Sequence, residues 1–324
     1  MEIVVVIIFL FSFVIGPLLW WLLVTKDKKR EEGEDISLGL QQEEKQDEKL
    51  SAPLQPPQNT IEKDLRVLHP INWKPFVLIE STQTSHNTKL LKFQIPDHQS
   101  LGLPVGRHLS VMAHIDGNKV MRPYTPVSRP DEFGSFSLLI KAYEFGRMSN
   151  HLFQLQVGDS LEVRGPVGRF KYSTNMYKHM VFVCGGTGLT PCLQVIRWIL
   201  EGPHHLEEET RLTLFYQNRN VEDILLLSTL EQLEESHPRF KVFYFLSDPP
   251  SSWGMNSIST SSSHDVEVRR ERRGYIHEDN MRTEHIFPEK CDLICLCGPS
   301  GFNEKMVSLF EKLGFDNGKN IYIW

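Results

Sequence analysis

Cysteine is scarce in this chain of 324 residues: there are 5, at Cys184, Cys192, Cys291, Cys295 and Cys297, and none forms a CxxC pair. An odd number without metal-ligand spacing argues against both a disulfide framework and a structural zinc site, and it suits a reducing compartment. Positive charge is not in excess either. With 35 Lys+Arg against 41 Asp+Glu the formal net charge is −6, and no zinc-finger or RNA-reading signature is present. Nucleic acid is therefore not an expected partner. The length suits about two packed domains of roughly 100–200 residues each.

A long apolar run occurs once, from Ile3 to Val24, broken by Ser12, Gly16 and Pro17. A helix of that length spans roughly 30 Å, enough to cross a bilayer. The basic n-region and small-residue cleavage site of a signal peptide are both missing, since Glu2 precedes the run and Trp20-Trp21 lies near its end. The cluster Lys26, Lys28, Lys29 and Arg30 follows the span. Positive-inside bias then predicts a single-pass anchor over residues 3–24 that contacts membrane lipid and holds the rest in the cytosol, at the endoplasmic reticulum or the outer mitochondrial membrane. Residues 25–65 are charged and then proline-rich (SAPLQPPQN, 51–59), the composition of a flexible tether.

Two different patterns follow. Over residues 66–175 short β runs alternate with turns: Phe76–Ile79, Leu90–Ile95, His108–Val111, Phe136–Ile140 and Ser160–Val163, with turn signals at Asp116-Gly117-Asn118 and Gly158-Asp159. These predict an all-β antiparallel barrel or sandwich. Over residues 176–324 buried strands (Met180–Val183, Leu212–Tyr216, Lys241–Leu246, Leu293–Cys297, Ile321–Ile323) alternate with helical stretches at Pro191–Glu201, Glu222–Ser236 and the segment ending at Leu313. That alternation predicts a doubly wound α/β domain with a parallel sheet, whose ligands lie beyond the C-terminal strand ends. Between Pro249 and Arg273 a Ser-rich stretch ends in Arg269, Arg270, Arg272 and Arg273, and is expected to be a mobile surface insertion, with a basic phosphate contact or a regulatory phosphosite as the alternative.

Four strings carry chemistry. In Cys184-Gly185-Gly186-Thr187-Gly188-Leu189-Thr190-Pro191 the glycines let backbone N–H groups approach a pyrophosphate, with Thr190 as helix cap and Pro191 at the first helical position. It is neither GxGxxG nor a P-loop, and a purely structural tight turn has the same composition. In Arg122-Pro123-Tyr124-Thr125-Pro126 an Arg fork can pair with phosphate oxygens, while the tyrosine offers a flat face and the threonine a hydroxyl; a proline-stiffened edge strand is the alternative. Gly146-Arg147-Met148-Ser149 caps a helix expected at 150–156, either as a second anion seat or as an ordinary N-cap. Cys297-Gly298-Pro299-Ser300 again puts small residues at a strand end. No companion base adjoins Cys297, which argues against a nucleophilic thiol.

These strings, in this order, resemble the ferredoxin–NADP reductase-like superfamily, and within it the NADH–cytochrome b5 reductase family, from near Ile71 to Trp324. Leu101–His108 and Ile115–Asn118 extend the similarity. The resemblance implies a flavoprotein oxidoreductase with FAD and NADH as cofactors (NADPH not excluded) and a haem protein such as cytochrome b5 as electron acceptor. It implies that Arg122 and Pro123 bind the FAD diphosphate, that Tyr124 lies against the isoalloxazine, and that Thr125 reaches the hydride-accepting edge with His108 as a proton relay. Lys141, Tyr143, Gly146, Arg147, Met148 and Ser149 would complete the flavin site. Gly185, Gly186, Thr187, Gly188, Thr190 and Pro191 would receive NADH and part of the flavin, with Cys297, Gly298 and Pro299 by the nicotinamide and Trp324 as a shield. The chain departs from the family pattern in a short Tyr143–Gly146 loop and in carrying Ser247 where an acidic residue favours NADH, with Asp248 next to it. The rivals are an NADPH-preferring reductase of a quinone or iron–sulfur acceptor and a catalytically silent nucleotide-binding sensor or scaffold.

Overall fold

The computed structural model describes residues 67–253 and 271–324. The expected anchor, the tether and most of the Ser/Arg-rich insertion lie outside them. Among the described residues no helix is long and apolar enough to cross a membrane.

The first half is a six-stranded sheet built from β1 (Lys74–Ser85), β2 (Thr88–Gln94), β3 (His108–Ile115), β4 (Asn118–Tyr124), β5 (Ser135–Lys141) and β6 (Ser160–Val167). The order is β4-β3-β6-β1-β2-β5 and every pairing is antiparallel. Alternation drives it: in β3 the buried Leu109, Val111 and Ala113 face one core while the residues between them are more exposed. That core also takes Phe76 and Leu78 from β1, Leu91 and Phe93 from β2, Phe136 and Ile140 from β5, and Leu161 and Val163 from β6. A sheet whose strands all feed one core must curl, as expected of a barrel, although backbone pairing leaves β4 and β5 as edges. The short helix α1 (Arg147–Gln154) plugs it with Met148 and Leu152.

The second half is a parallel sheet of β7 (His179–Gly185), β8 (Arg211–Asn218), β9 (Phe240–Leu246), β10 (Glu271–Arg273), β11 (Leu293–Cys297) and β12 (Ile321–Ile323), in the order β10-β9-β8-β7-β11-β12. Helices α2 (Leu189–Glu201), α3 (Leu227–Ser236), α4 (Glu278–Thr283) and α5 (Ser300–Lys312) connect or flank the strands. Both faces are buried, and side chains divide by parity. Met180, Phe182 and Cys184 join a core with α2 and α3, whereas Val181 and Val183 join another with α4 and α5. Strand order reverses between β7 and β11, which opens a crevice at their C-terminal ends.

Three local expectations change. Arg272 and Arg273 are not part of a loose insertion, because β10 pairs with β9. The stretch expected as one helix from Glu222 is a 3-10 turn (Val221–Asp223) followed by α3, with Leu226 in the left-handed region at φ 53° between them. The helix expected at 150–156 begins earlier, at Arg147.

Candidate functional site

The Arg122 string lies on edge strand β4, where Pro123 costs no ladder hydrogen bond. The register pairs Arg122 with Val111, Pro123 with Ser110 and Tyr124 with Leu109. His108 and Thr125 are thus the next residues outward on neighbouring strands. Arg122 is exposed, and its Nη1 donates to the Met121 carbonyl at 2.7 Å, leaving the rest of the fork free to meet an anion. Tyr124 is half-buried and packs on the curled-sheet core; burial, and then the neighbouring Tyr143, push its hydroxyl pKa up, so it stays a neutral phenol. Thr125 is buried. His108 is held below its ordinary value of 6.5 by burial first and by the Arg107 charge second, which keeps its imidazole neutral near pH 7.

The Gly146 string does not place Ser149 at the helix cap. Gly146 is the cap and makes no side-chain bond there, while Ser149, in the first turn and buried, donates from Oγ to the Gly146 carbonyl at 3.1 Å. The helix starts early because Met148 and Leu152 are drawn into the core. Arg147 Nη2 donates to the Ile115 carbonyl at 2.8 Å and so ties α1 to the β3–β4 turn. The uncapped amides of α1, with Arg122 on the same half, form a donor set of the kind that suits a diphosphate.

In the other half, Gly185 ends β7 and a 3-10 turn spans Gly186–Gly188. Leu189 N–H donates to the Gly186 and Thr187 carbonyls, so α2 begins at Leu189 rather than at Pro191. Thr190 is therefore not the cap; it sits in the first turn and donates to the Thr187 carbonyl at 3.3 Å. This turn abuts the end of β11, whose Cys297 is the register partner of Cys184. A Cβ on Gly188 would stand 2.1 Å from the Cys297 carbonyl oxygen, so the close approach of the two loops requires glycine. Gly298 lies beside Phe302, and Pro299 caps α5. Burial raises the Cys297 thiol pKa, with Cys192 adding to it, which keeps the thiol protonated and unsuited to nucleophilic work.

The two constellations meet. Tyr143 OH lies 2.9 Å from Thr187 Oγ1, joining the loop before α1 to the glycine turn. Lys141 Nζ and Asp223 Oδ1 form an ion pair at 2.5 Å, with side chains only 11% and 17% exposed. Sequence reasoning missed Asp223, and also Gln194, whose Oε1 accepts from Gly106 N at 2.7 Å. It placed Trp324 near the site; the indole Nε1 donates to the Gly106 carbonyl at 3.0 Å, and the ring packs with Phe170 and Tyr322. Gly106, at φ 75°, tolerates no side chain, because a Cβ would lie 2.0 Å from Phe170 Cδ1. Arg272 and Arg273 are spent elsewhere, on Glu284 at 3.2 Å and on the carbonyls of Pro250, Ser251 and Trp253.

Comparison with known proteins agrees with this division. Residues 75–172 match the oxidoreductase FAD-binding domain family and residues 182–308 the oxidoreductase NAD-binding domain family. The chain is 38% identical over 258 residues to NADH-cytochrome b5 reductase 1 of Dictyostelium discoideum, covering 79% of this chain and 83% of that protein. It is 46% identical over 257 residues to NADH-cytochrome b5 reductase 1 of Meyerozyma guilliermondii, covering 79% and 84%. Among solved structures, the cytochrome b5 reductase domain of Ulva prolifera nitrate reductase superposes with a TM-score of 0.70 at 31% identity, over 80% of this chain and all of that domain. With both half-sites, their strand-end placement and these relatives in agreement, the chain belongs to the NADH–cytochrome b5 reductase family of ferredoxin–NADP reductase-like flavoproteins.

Proposed function

We propose that this protein is a membrane-anchored reductase that takes hydride from NADH and delivers single electrons, by way of FAD, to cytochrome b5. The observation that carries the reading is the meeting of two half-sites: the Arg122–Thr125 edge and α1 on one side, and the Gly185–Gly188 turn with Cys297 on the other, linked at Tyr143 and Thr187. The donor set fits FAD. Arg122 would pair bidentately with the diphosphate, assisted by Pro123, Arg147, Met148, Ser149 and the amides after Gly146. Tyr124, a neutral phenol, would lie against the flavin ring. Lys141 would contribute through its pairing with Asp223, which fixes the strand next to Tyr143.

Bound FAD supplies the conversion between a two-electron hydride donor and a one-electron acceptor. The protein's residues position and exclude. Gly185, Gly186 and Thr187 present backbone to the NADH diphosphate, while Gly188, Thr190 and Pro191 seat that turn on α2. Cys297, Gly298 and Pro299 would form the floor beneath the nicotinamide, where a small protonated thiol leaves room for the ring. Thr125 would aim its hydroxyl at the ring edge that accepts hydride. His108, neutral at pH 7 and next to Thr125 across the strand end, would take up and release the accompanying proton. Close alignment of donor and acceptor is what the seam between the two halves contributes to rate. Residues 3–24 would hold this machinery at the cytosolic face of the membrane, where confinement with a membrane-bound acceptor raises effective concentration.

NADH is placed before NADPH because Arg272 and Arg273 are already engaged, which removes two of the arginines that could meet a 2′-phosphate. The purified chain should be yellow, bleach on anaerobic addition of NADH faster than with NADPH, and then reduce cytochrome b5, followed at the haem band. A colourless protein that stays so with excess flavin would overturn the reading.

A further inference from the structure

The proposed chemistry uses one end of the parallel sheet. At the other end, where β7, β8 and β9 begin, a cavity of about 200 Å³ opens among His179, Arg211, Thr213, Arg239, Lys241 and Glu284. The seven residues of β7 separate it from the glycine turn by roughly 20 Å at 3.3 Å per residue.

Its charge is one-sided. Glu284 is the one carboxylate in the lining, and its Oε1 is paired with Arg272 Nη2 at 3.2 Å, so it neutralises a charge outside the cluster. Arg239 is fixed by one bond, Nη1 to the Thr210 carbonyl at 2.9 Å. Among the described residues the side chains of Arg211 and Lys241 make no hydrogen bond or ion pair. The backbone register forces these cations together: Leu212 pairs with Phe240 and Thr213 with Lys241, which sets Arg211 beside Arg239 at the strand ends. Like charges on neighbouring strands repel. His179 supplies no countercharge and adds no positive charge. Its ring nitrogens face the Lys290 carbonyl at 3.2 Å and Thr213 Oγ1 at 3.0 Å, and burial, followed by the Arg211 charge, disfavours its protonation.

We propose that this cavity is a binding site for a small oxyanion of the phosphate class, held by Arg211, Arg239 and Lys241. Its volume is below the roughly 300–1,000 Å³ of sites for drug-sized ligands, which suits a phosphate or pyrophosphate group rather than a whole nucleotide. The bound anion bridges the starts of β8 and β9 and relieves the repulsion built into their register. A free ion and a phospholipid headgroup present the same chemistry, and the test separates them.

The probe is inorganic pyrophosphate, titrated into the detergent-solubilised, FAD-loaded full chain, with the thermal midpoint as readout. At about ten times the dissociation constant the midpoint should rise by about 2–4 °C. The double variant R211A/K241A, altered at two exposed side chains, should fold, reduce flavin with NADH at the original rate, and lose the rise. A titration with short-chain phosphatidic acid assigns the source to whichever ligand saturates at the lower concentration. The proposal is overturned if neither ligand shifts the midpoint or if sodium chloride of matched ionic strength shifts it equally. It is also overturned if the double variant responds like the parent, or if KM for NADH rises in step with the shift, which would place the anion in the glycine turn.

Discussion

The curled antiparallel half and the parallel half present functional groups in opposite ways. In the first, Arg122 and Arg147 project from an edge strand and a short helix, exposed and with few internal obligations. In the second, the proposed working surface is backbone, brought to the crevice by a turn pressed against its neighbour, with Gly188 buried under the Cys297 carbonyl. Side chains on a rim can be changed at the expense of binding alone. A glycine floor cannot, because the contact that shapes the site also packs the fold.

This contrast orders the expected effects. Gly188→Ala drives a Cβ into backbone that has no rotamer to yield, and should lower unfolding free energy by about 3 kcal/mol, measured by denaturant titration, together with loss of NADH reduction. A stable, active variant would break the comparison at its firmest point. Asp223→Ala strands the nearly buried Lys141 and should cost about 2 kcal/mol, and adding Lys141→Met should recover much of that in a double-mutant cycle. No recovery would mean that the pair is not what couples the two halves here.

Arg122→Ala should weaken FAD binding by about 10- to 100-fold, the worth of a charged hydrogen bond, while the flavin-free protein unfolds within about 0.5 kcal/mol of the parent. Unchanged FAD affinity would remove the side-chain rim from the comparison. The smallest effect is in pH. Burial lowers the pKa of His108 in one half and of His179 in the other below 6.5, so the unfolded chain binds more protons in acid and stability falls below about pH 6.5. Burial raises the thiols of Cys184, Cys192, Cys295 and Cys297 above 9.0, so the folded chain keeps protons that the unfolded one releases, and stability falls as pH rises past about 9. Thermal midpoints should form a plateau between these limits. The acid edge draws on a histidine in each half; at the alkaline edge the thiols belong to the parallel half and the raised phenol of Tyr124 to the other, and a midpoint that holds level to pH 10 would contradict the thiol argument.

The sequence by itself determined the two patterns and the strand positions of β11 and β12 to the residue, because hydrophobic parity is a local property of a chain. It offered the edge strand at Arg122–Tyr124 only as an alternative, and it missed β10, which is only three residues long and held by pairing with β9. It misplaced the starts of α1 and α2, since Gly146 and Gly188 become caps through tertiary packing rather than through a capping side chain, and that of α3, which begins after Leu226 in the left-handed region. Only the tertiary structure decided that Gln194 and Trp324 would both close on Gly106, 88 and 218 residues away, that Lys141 would meet Asp223, and that three cations would share one cavity at the far end of the sheet. Such pairings join segments far apart in the chain, and which of them form depends on strand order and register, which no local stretch of residues encodes.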